Sequence, residues 1–548
     1  MGAHRKLRVI FIAAAVLFLP LAGCGSNASH ETPAPTGGPT AGVLRLVETD
    51  QPDNLNPLIA SQPIALELSY LTYSFFFDVD DRSRLVPDVA LEVPTVPNGG
   101  ISPDGKTITY HLRKGVRWQD GQPLTSRDVV FTYHAIVNPR NNVQGLLGYE
   151  DIADVVAPDD YTVVVHMKRV DSPIVTLFMC LDGDYPILPA HLLATYPDLN
   201  HAAYNDKPIG SGPFSVVDWV RGDHITFAAN PDYWRGPPKL DKIVVSFVGS
   251  NAQIVDRLRS GQADAWFNSD PTLYPELTQL GGIGVTIAPD NNFGHLDFNL
   301  RDPLLQDVRV RRAIELAIDR RKIVEEATHD VYQTTDSDQP FTSWAYDRRV
   351  PHPAYDPNAA TALLRSAGWH RGPDGVLANG KGRIELQLAF LEGNSLDKQV
   401  ADILKGDLAA VGIQIDERPY PEERFLSSLQ SGGVVYNGRY QLAMFEWGVG
   451  LDPDDSWLYA CDQQPPQGEN STFWCDPKVD AAERGARATF DVATRRSDYA
   501  VIQSEIADQV PMIFLYAQRR ADVYSTRLVG FRPAPTFAYW NAWRWEMR

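Results

Sequence analysis

Residues 107–112 alternate apolar and polar side chains with a period of two, the spacing of a half-buried strand, between the turn pairs Asp104-Gly105 and Asp120-Gly121. Thr125-Ser-Arg-Asp128 then reads as a capping box in front of the apolar run 129–136, which predicts a helix. Short strands are expected at 43–47 and 242–248, a hairpin over 214–220 and 224–228, and a helix through Ile254, Val255 and Leu258 that stops at Gly261. Between them Pro208-Ile-Gly-Ser-Gly-Pro213 predicts a tight crossing of two backbones.

From about residue 290 the texture changes. A strand is expected at 294–299, and Asp307 caps a helix whose apolar positions Val310, Ala313, Ile314, Ala317 and Ile318 share one face. Asp356-Pro357 opens another that ends at Gly368. Strands at 384–390, 413–415 and 440–447 alternate with helices from Ser395 to Gly412 and from Glu422 to Gln430. Such a β-α-β-α-β run predicts a largely parallel sheet with both faces covered. Asp476-Pro477 and Thr494 open two more helices before an apolar strand at 511–516. The final segment, with Phe537, Tyr539, Trp540, Trp543 and Trp545, is too apolar for a loose tail; these aromatics and Tyr233-Trp234 read as packing.

The 548 residues, 44% of them hydrophobic, suffice for two or three domains with full cores. A formal charge of −19 with no internal basic run argues against a nucleic-acid partner. The chain starts with a basic segment, 1–8, and an apolar stretch, 9–21, too short to span a membrane, which together read as an export signal. Leu21-Ala-Gly-Cys24 matches the bacterial lipobox, so cleavage after residue 23 and lipidation of Cys24 are expected. Residues 24–42, rich in Gly, Pro, Ser and Thr, would form a flexible tether outside the cytoplasmic membrane.

In that oxidising compartment the near neighbours Cys461 and Cys475 are the expected disulfide, and Cys180, inside an apolar run, reads as a buried thiol. No G-x-S-x-G elbow and no H-E-x-x-H is present, and no cofactor is implied. The 12 histidines form no cluster with metal-ligand spacing. The reading is therefore of a protein that is not an enzyme. An exported hydrolase, pairing Ser395 or Ser456 with carboxylates, is the rival from another class, and a ligand sensor is a third possibility.

The segment SPDGKTITYHLRKGVRWQDGQPLTSRDVVF, 102–131, resembles the signature of family 5 extracellular solute-binding proteins of ABC importers, the oligopeptide, dipeptide and nickel binders. Further segments agree in order: Leu85-Val-Pro-Asp88, Gly210-Ser-Gly-Pro213, Asn230-Pro-Asp-Tyr-Trp234, Gly261-Gln-Ala-Asp264, Phe298-Asn299, Asp307 to Ala313 with Ala317-Ile-Asp-Arg320, and Asp452-Pro453. The resemblance runs from about residue 44 to the carboxyl end. It implies an α/β, two-lobed periplasmic-binding-protein-like fold with an extra domain inserted in the first lobe, of the large cluster-C type. Lobe I would comprise 43–78, 208–289 and 517–548, the insert 79–207, and lobe II 290–516. It also implies a monomeric receptor that captures a peptide or other small solute and delivers it to ABC permease and ATPase subunits.

By position in that scheme Trp447, Gly448, Val449, Gly450 and Leu451 should face the cleft, Tyr516 should lie near the second crossing, and Asn54, Ser211 and Gly212 should approach from lobe I. Trp447 and Trp457 would stack on a ligand or fill core; His295 and Asp297 would bind ligand or, more simply, satisfy a buried network. Peptide-binding members carry an aspartate in this loop, three residues before the Asp-Pro in the dipeptide binder, that pairs with the peptide ammonium. The matching position here is Val449, and Trp447-Gly-Val-Gly-Leu451 has no acid. Glu446 is the nearest substitute, but strand alternation sets it opposite Trp447. The missing counter-charge keeps an oligosaccharide or other uncharged ligand as a rival to a peptide.

Overall fold

The computed structural model describes residues 40–548 except Gln144, Leu181, Asp182, Asp184, His352, Lys381, Leu429, Gln430 and Thr536. The expected export signal, Cys24 and nearly all of the tether lie outside the described residues.

A ten-stranded sheet runs through the molecule in the order Gln414–Tyr420, Glu385–Leu391, Leu442–Gly448, Ile283–Phe298, Met512–Ser525, Ala265–Trp266, Val43–Glu48, Lys242–Phe247, His224–Ala229, Phe214–Val220. Its centre is two long antiparallel strands, Ile283–Phe298 and Met512–Ser525. They pair from Ile283 opposite Ser525 to Pro289 opposite Arg519, lose register, and pair again from Phe293 opposite Ala517 to Asp297 opposite Met512. One hydrophobic core lies to one side of this break, built from residues between Leu44 and Phe267 together with Leu528, Tyr539, Trp545 and their neighbours. Another lies on the other side, between Leu296 and Ala521.

The sheet is mixed rather than largely parallel. Glu385–Leu391 is parallel to Gln414–Tyr420 and to Leu442–Gly448, as short strand-helix-strand units require. The two long strands enter and leave this half of the molecule, so they run antiparallel to one another, and Ile283–Phe298 is antiparallel to Leu442–Gly448. A separate three-stranded sheet, Thr107–His111, Thr162–Met167 and Ile152–Asp159, packs with helix Ser126–Ile136 into the first core. That helix starts with the expected capping box: Asp128 accepts the Thr125 N–H at 2.8 Å.

Asp307, Asp356 and Asp476 cap their helices by accepting backbone N–H groups at the first turn. Three boundaries differ from expectation. Asn394, not Ser395, caps helix Ser395–Val411; Asp491, not Thr494, caps Val492–Gln509; and the helix expected from Glu422 is the single turn Glu422–Phe425. In the first two cases the neighbouring Asn or Asp outcompetes the hydroxyl as an acceptor.

Cys461 and Cys475 form a disulfide with Cα atoms 4.7 Å apart, and Cys180 is buried with its Sγ 3.7 Å from the Phe77 carbonyl. Among the carboxyl-terminal aromatics, Tyr539 and Trp545 are fully buried, and Phe531 stacks on Phe267 at 4.7 Å.

Candidate functional site

Strands of an α/β sheet end in loops that converge on ligands. Here two sets of such ends face each other. From the first half come Glu48, the last residue of Val43–Glu48, with Thr49 and Asp50 after it, and the segment Trp266 to Pro271 at the end of the short strand Ala265–Trp266. Glu67 joins them from helix Pro63–Thr72. From the second half come residues 391–396, where strand Glu385–Leu391 passes into the next helix, together with Tyr332 and Glu446. They enclose a cavity of about 600 Å³. One hydrogen bond crosses it: the Ser395 hydroxyl donates to Asp270 at 3.1 Å.

Carboxylates dominate the walls. Among the described residues neither Glu48 nor Glu67 has a side-chain hydrogen bond or ion pair. Burial, the charges of Glu67 and Asp50, and that of Asp522 push the Glu48 carboxyl well above its ordinary range, against the pull of Arg520. Burial likewise raises Glu67. Glu446 accepts the Tyr516 hydroxyl at 3.0 Å, yet burial still raises it. Behind it Asp397 is pushed up to about 8, first by burial and then by the Glu446 charge. Arg520, the cation whose charge reaches Glu48 and Glu67, is fully buried and donates to Asp522 at 3.0 Å.

None of the nine residues expected to touch a ligand borders this cavity. Strand alternation puts Glu446 on its wall and turns Trp447 away, edge-on against Trp457 at 5.2 Å and Phe445 at 5.6 Å. Gly448 abuts the Asn292 side chain, Val449 is buried and donates its N–H to the Asn291 carbonyl at 3.2 Å, Gly450 is exposed, and Leu451 packs against the first core. Tyr516 reaches the cavity only through Glu446, its ring lying over Gly294. Asn54 accepts the Asn56 N–H at 2.9 Å within its own turn. Ser211 is buried, and Gly212 donates its N–H to the Thr72 carbonyl at 2.8 Å. A Cβ at Gly212 would come 2.6 Å from the Tyr73 carbonyl oxygen, so the glycines of this turn allow two backbones to cross closely.

His295 and Asp297 are both fully buried, with Nδ1 and Oδ1 3.3 Å apart. Burial lowers His295 to about 3 and raises Asp297 to about 7, so the histidine is neutral in this apolar setting. They sit in the core and not at the cavity. Ser395 and Lys398 have a Ser-x-x-Lys spacing. Lys398 pairs with Asp402 at 2.6 Å, and the Ser395 hydroxyl donates to the Asp270 carboxylate at 3.1 Å. Among the described residues no group of three or more His, Cys, Asp and Glu has the arrangement of a metal site.

Glu67, missed by sequence reading, and Glu446, named there only as a substitute acid, both carry a signal. Glu67 is the only charged residue of its ten-residue helix, and Glu446 the only one of its strand. A lone charge on an otherwise apolar element marks a place where burial is tolerated for a reason.

The family described as bacterial extracellular solute-binding proteins, family 5 (middle region), is matched over residues 84–469. The oligopeptide-binding protein AppA of Bacillus subtilis is 25% identical over 539 residues, covering 97% of this chain and 96% of its own length. The dipeptide-binding protein of Escherichia coli is 27% identical over 439 residues, 76% of this chain and 78% of its own. The crystal structure of NikZ from Campylobacter jejuni in complex with Ni(L-His) superposes with a TM-score of 0.78 at 25% identity, covering 92% of this chain and all of that one.

Proposed function

Because the chain belongs to the bacterial extracellular solute-binding proteins, family 5, we propose that it is the extracytoplasmic receptor of an ABC importer, and that it captures a peptide or similar medium-sized solute without turning it over. The observation that carries this reading is the cavity of about 600 Å³, walled on one side by Glu48, Glu67 and Trp266 to Pro271 and on the other by 391–396 and Glu446. Its size lies within the range of ordinary small-molecule sites.

In this reading 43–78, 208–289 and 517–548 form one lobe and 290–516 the other, with 79–207 inserted in the first. The register break between Pro289 and Phe293 in the paired long strands supplies the hinge. Closure around a ligand makes contacts available only in the closed state, which is what shifts the equilibrium toward it. The closed face then meets the permease. Lipidation at Cys24 would hold the receptor at the outer face of the cytoplasmic membrane. Wall groups from both lobes, Glu48, Glu67, Asp270 and Glu446, take the ligand-contacting role first expected of Trp447 and the 448–451 loop. The carboxylate walls also remove the argument for an uncharged ligand that rested on Val449.

Native mass spectrometry of the freshly purified chain, followed by thermal shift with mixed-sequence peptides, tests the proposal. Carried-over solute and a rise in Tm on adding peptide are expected, since a ligand that binds only the folded state stabilises it. Loss of peptide by hydrolysis during incubation, or the absence of both carried-over solute and any response to peptide, would overturn it.

A further inference from the structure

Every charged side chain that lines the interlobe cavity is acidic. Glu48, Asp50, Glu67, Asp270, Glu392 and Glu446 contribute to its walls, and among the described residues no lysine, arginine or histidine does. A carboxylate cluster on an open surface is ordinary solvated charge. These six instead surround one concavity with aromatic walls, Trp266, Phe267 and Tyr332, that exclude water from part of it.

The cluster is not internally neutralised. Arg520, the cation whose field reaches Glu48 and Glu67, is fully buried behind them, bonds Asp522, and also faces Asp290. Asp270 is partly satisfied by Asn251, Thr272 and Ser395, and Glu446 by Tyr516. Glu48 and Glu67 come from different elements, one a strand end and one a helix, and among the described residues neither carboxylate has a hydrogen bond or ion pair. Partly desolvated like charges held together are costly unless something of opposite sign enters.

Resting on the receptor reading above, we propose that this cavity selects cationic solutes, namely a peptide with lysine or arginine side chains or a polyamine, over neutral or acidic solutes of the same size. The ammonium or guanidinium groups sit between Glu48 and Glu67 on one wall and beside Glu446 on the other, while the aliphatic stems lie along the aromatic surfaces. The acid that the loop lacks at Val449 is thereby replaced by acids on three other elements. Burial raises the Glu48, Glu67 and Glu446 carboxyls, and neighbouring acids add to the rise at Glu48 and Glu67, so an entering cation pulls these carboxyls back down and favours release of protons.

The test is isothermal titration calorimetry on the full chain with an alanine pentapeptide carrying two lysines, the same peptide with norleucine or with glutamate in their place, and spermidine. The lysine peptide should bind at least about tenfold more tightly than the norleucine peptide, equivalent to about 1.4 kcal/mol, and its affinity should fall as ionic strength rises. Its binding should release protons, read from the heat in buffers of different ionisation enthalpy. Glu48→Gln and Glu67→Gln, which preserve side-chain volume, should bring the lysine-to-norleucine ratio toward unity. Binding of spermidine but no lysine peptide would support cation selection and assign the polyamine source. Equal or tighter binding of the norleucine or glutamate peptide would overturn the charge preference and leave the receptor reading standing. No binding by any probe would overturn both.

Discussion

Outside the cavity, Arg487 ties distant parts of the chain together. It sits at the end of helix Pro477–Arg487 and reaches across to Asp171, with Nε and Nη2 at 2.9 and 2.8 Å from Oδ1. Asp454 and Asp151 lie 3.8 and 3.9 Å away. The backbone joins in: Ser172 donates its N–H to the Arg487 carbonyl at 2.9 Å and its hydroxyl to the Ala486 carbonyl at 3.1 Å. The cation therefore holds three carboxylates together at the junction between the 79–207 segment and the far half of the chain. Removing one partner of a buried pair costs about 3–5 kcal/mol. Arg487 is 21% exposed, and Asp171, already raised to about 6 mainly by burial, can take up a proton instead. Both effects limit the loss, so for Arg487→Ala about 2–3 kcal/mol is expected at pH 8. The sign with pH follows from the same group. Without the arginine, the folded-state pKa of Asp171 moves further above its unfolded value, so the deficit grows as pH rises through it and shrinks at pH 5. Urea unfolding followed by tryptophan fluorescence at pH 5 and pH 8 measures both. A deficit under about 0.5 kcal/mol, or one of equal size at the two pH values, would refute the account.

Three further outcomes follow from the geometry. Gly210→Ala should unfold or severely destabilise the chain whatever the ligand, because its Cβ would lie 1.8 Å from the Thr72 carbonyl oxygen; wild-type melting behaviour would show that the crossing can yield. Replacing both Cys461 and Cys475 by alanine opens a loop with a sequence separation of 14 and should lower stability by about 3 kcal/mol, checked by denaturant unfolding with and without reductant. Burial raises Asp290 and Asp297 to about 7 and Asp397 to about 8, far above an ordinary carboxylate. The folded chain keeps these protons where the unfolded chain loses them, so their stabilisation is complete below about pH 4 and is lost as pH climbs through 7 to 8. His295, lowered to about 3, opposes this trend only below its ordinary value of 6.5. Between pH 6.5 and 8.5 stability should therefore fall by on the order of 2 kcal/mol, read from chemical denaturation, and Asp297→Asn should flatten part of the slope; a rise over that interval contradicts the burial argument.

Elements fixed by local chemistry were legible. The caps at Asp307, Asp356 and Asp476 and the box at Thr125 and Asp128 depend on side-chain to backbone contacts within one turn, which the sequence spells out directly. The two long strands were not. An apolar run was read at 511–516, but the strand continues to Ser525 through Arg519, Arg520 and Asp522, polar residues that a strand end would normally expose. Pairing of Arg520 with Asp522 permits their burial, and that pairing exists only in the folded sheet. The partner strand similarly runs through Pro289, Asp290, Asn291 and Asn292, a turn-like sequence overridden by flanking ladders. The cavity failed to appear for a related reason: Glu48, Glu67, Asp270 and Glu446 span nearly four hundred positions and meet only when both halves are in place.

The strand Leu442–Gly448 shows how one local rule can be right while the inference drawn from it goes astray. Alternation does separate Glu446 from Trp447, but it is the glutamate that meets the cavity and the tryptophan that packs. Position in a familiar loop favoured the larger, aromatic side chain; the demand for internal packing used it instead against Trp457. The hydrogen bond from Tyr516 then gives the glutamate a second role. Tyr516 lies in the returning long strand beside the register break, with its ring against Gly294 in the other, so the cavity carboxylate is tied to both strands at the place where their register shifts. A cation drawn to Glu446 competes for the same oxygen that Tyr516 holds. Tyr516→Phe should therefore leave the core intact, release one of the two side chains that bond this carboxylate, Gln518 being the other, and strengthen binding of a cationic peptide relative to its norleucine counterpart; a weakened preference would mean that the tyrosine orients the glutamate for the ligand and does not compete with it.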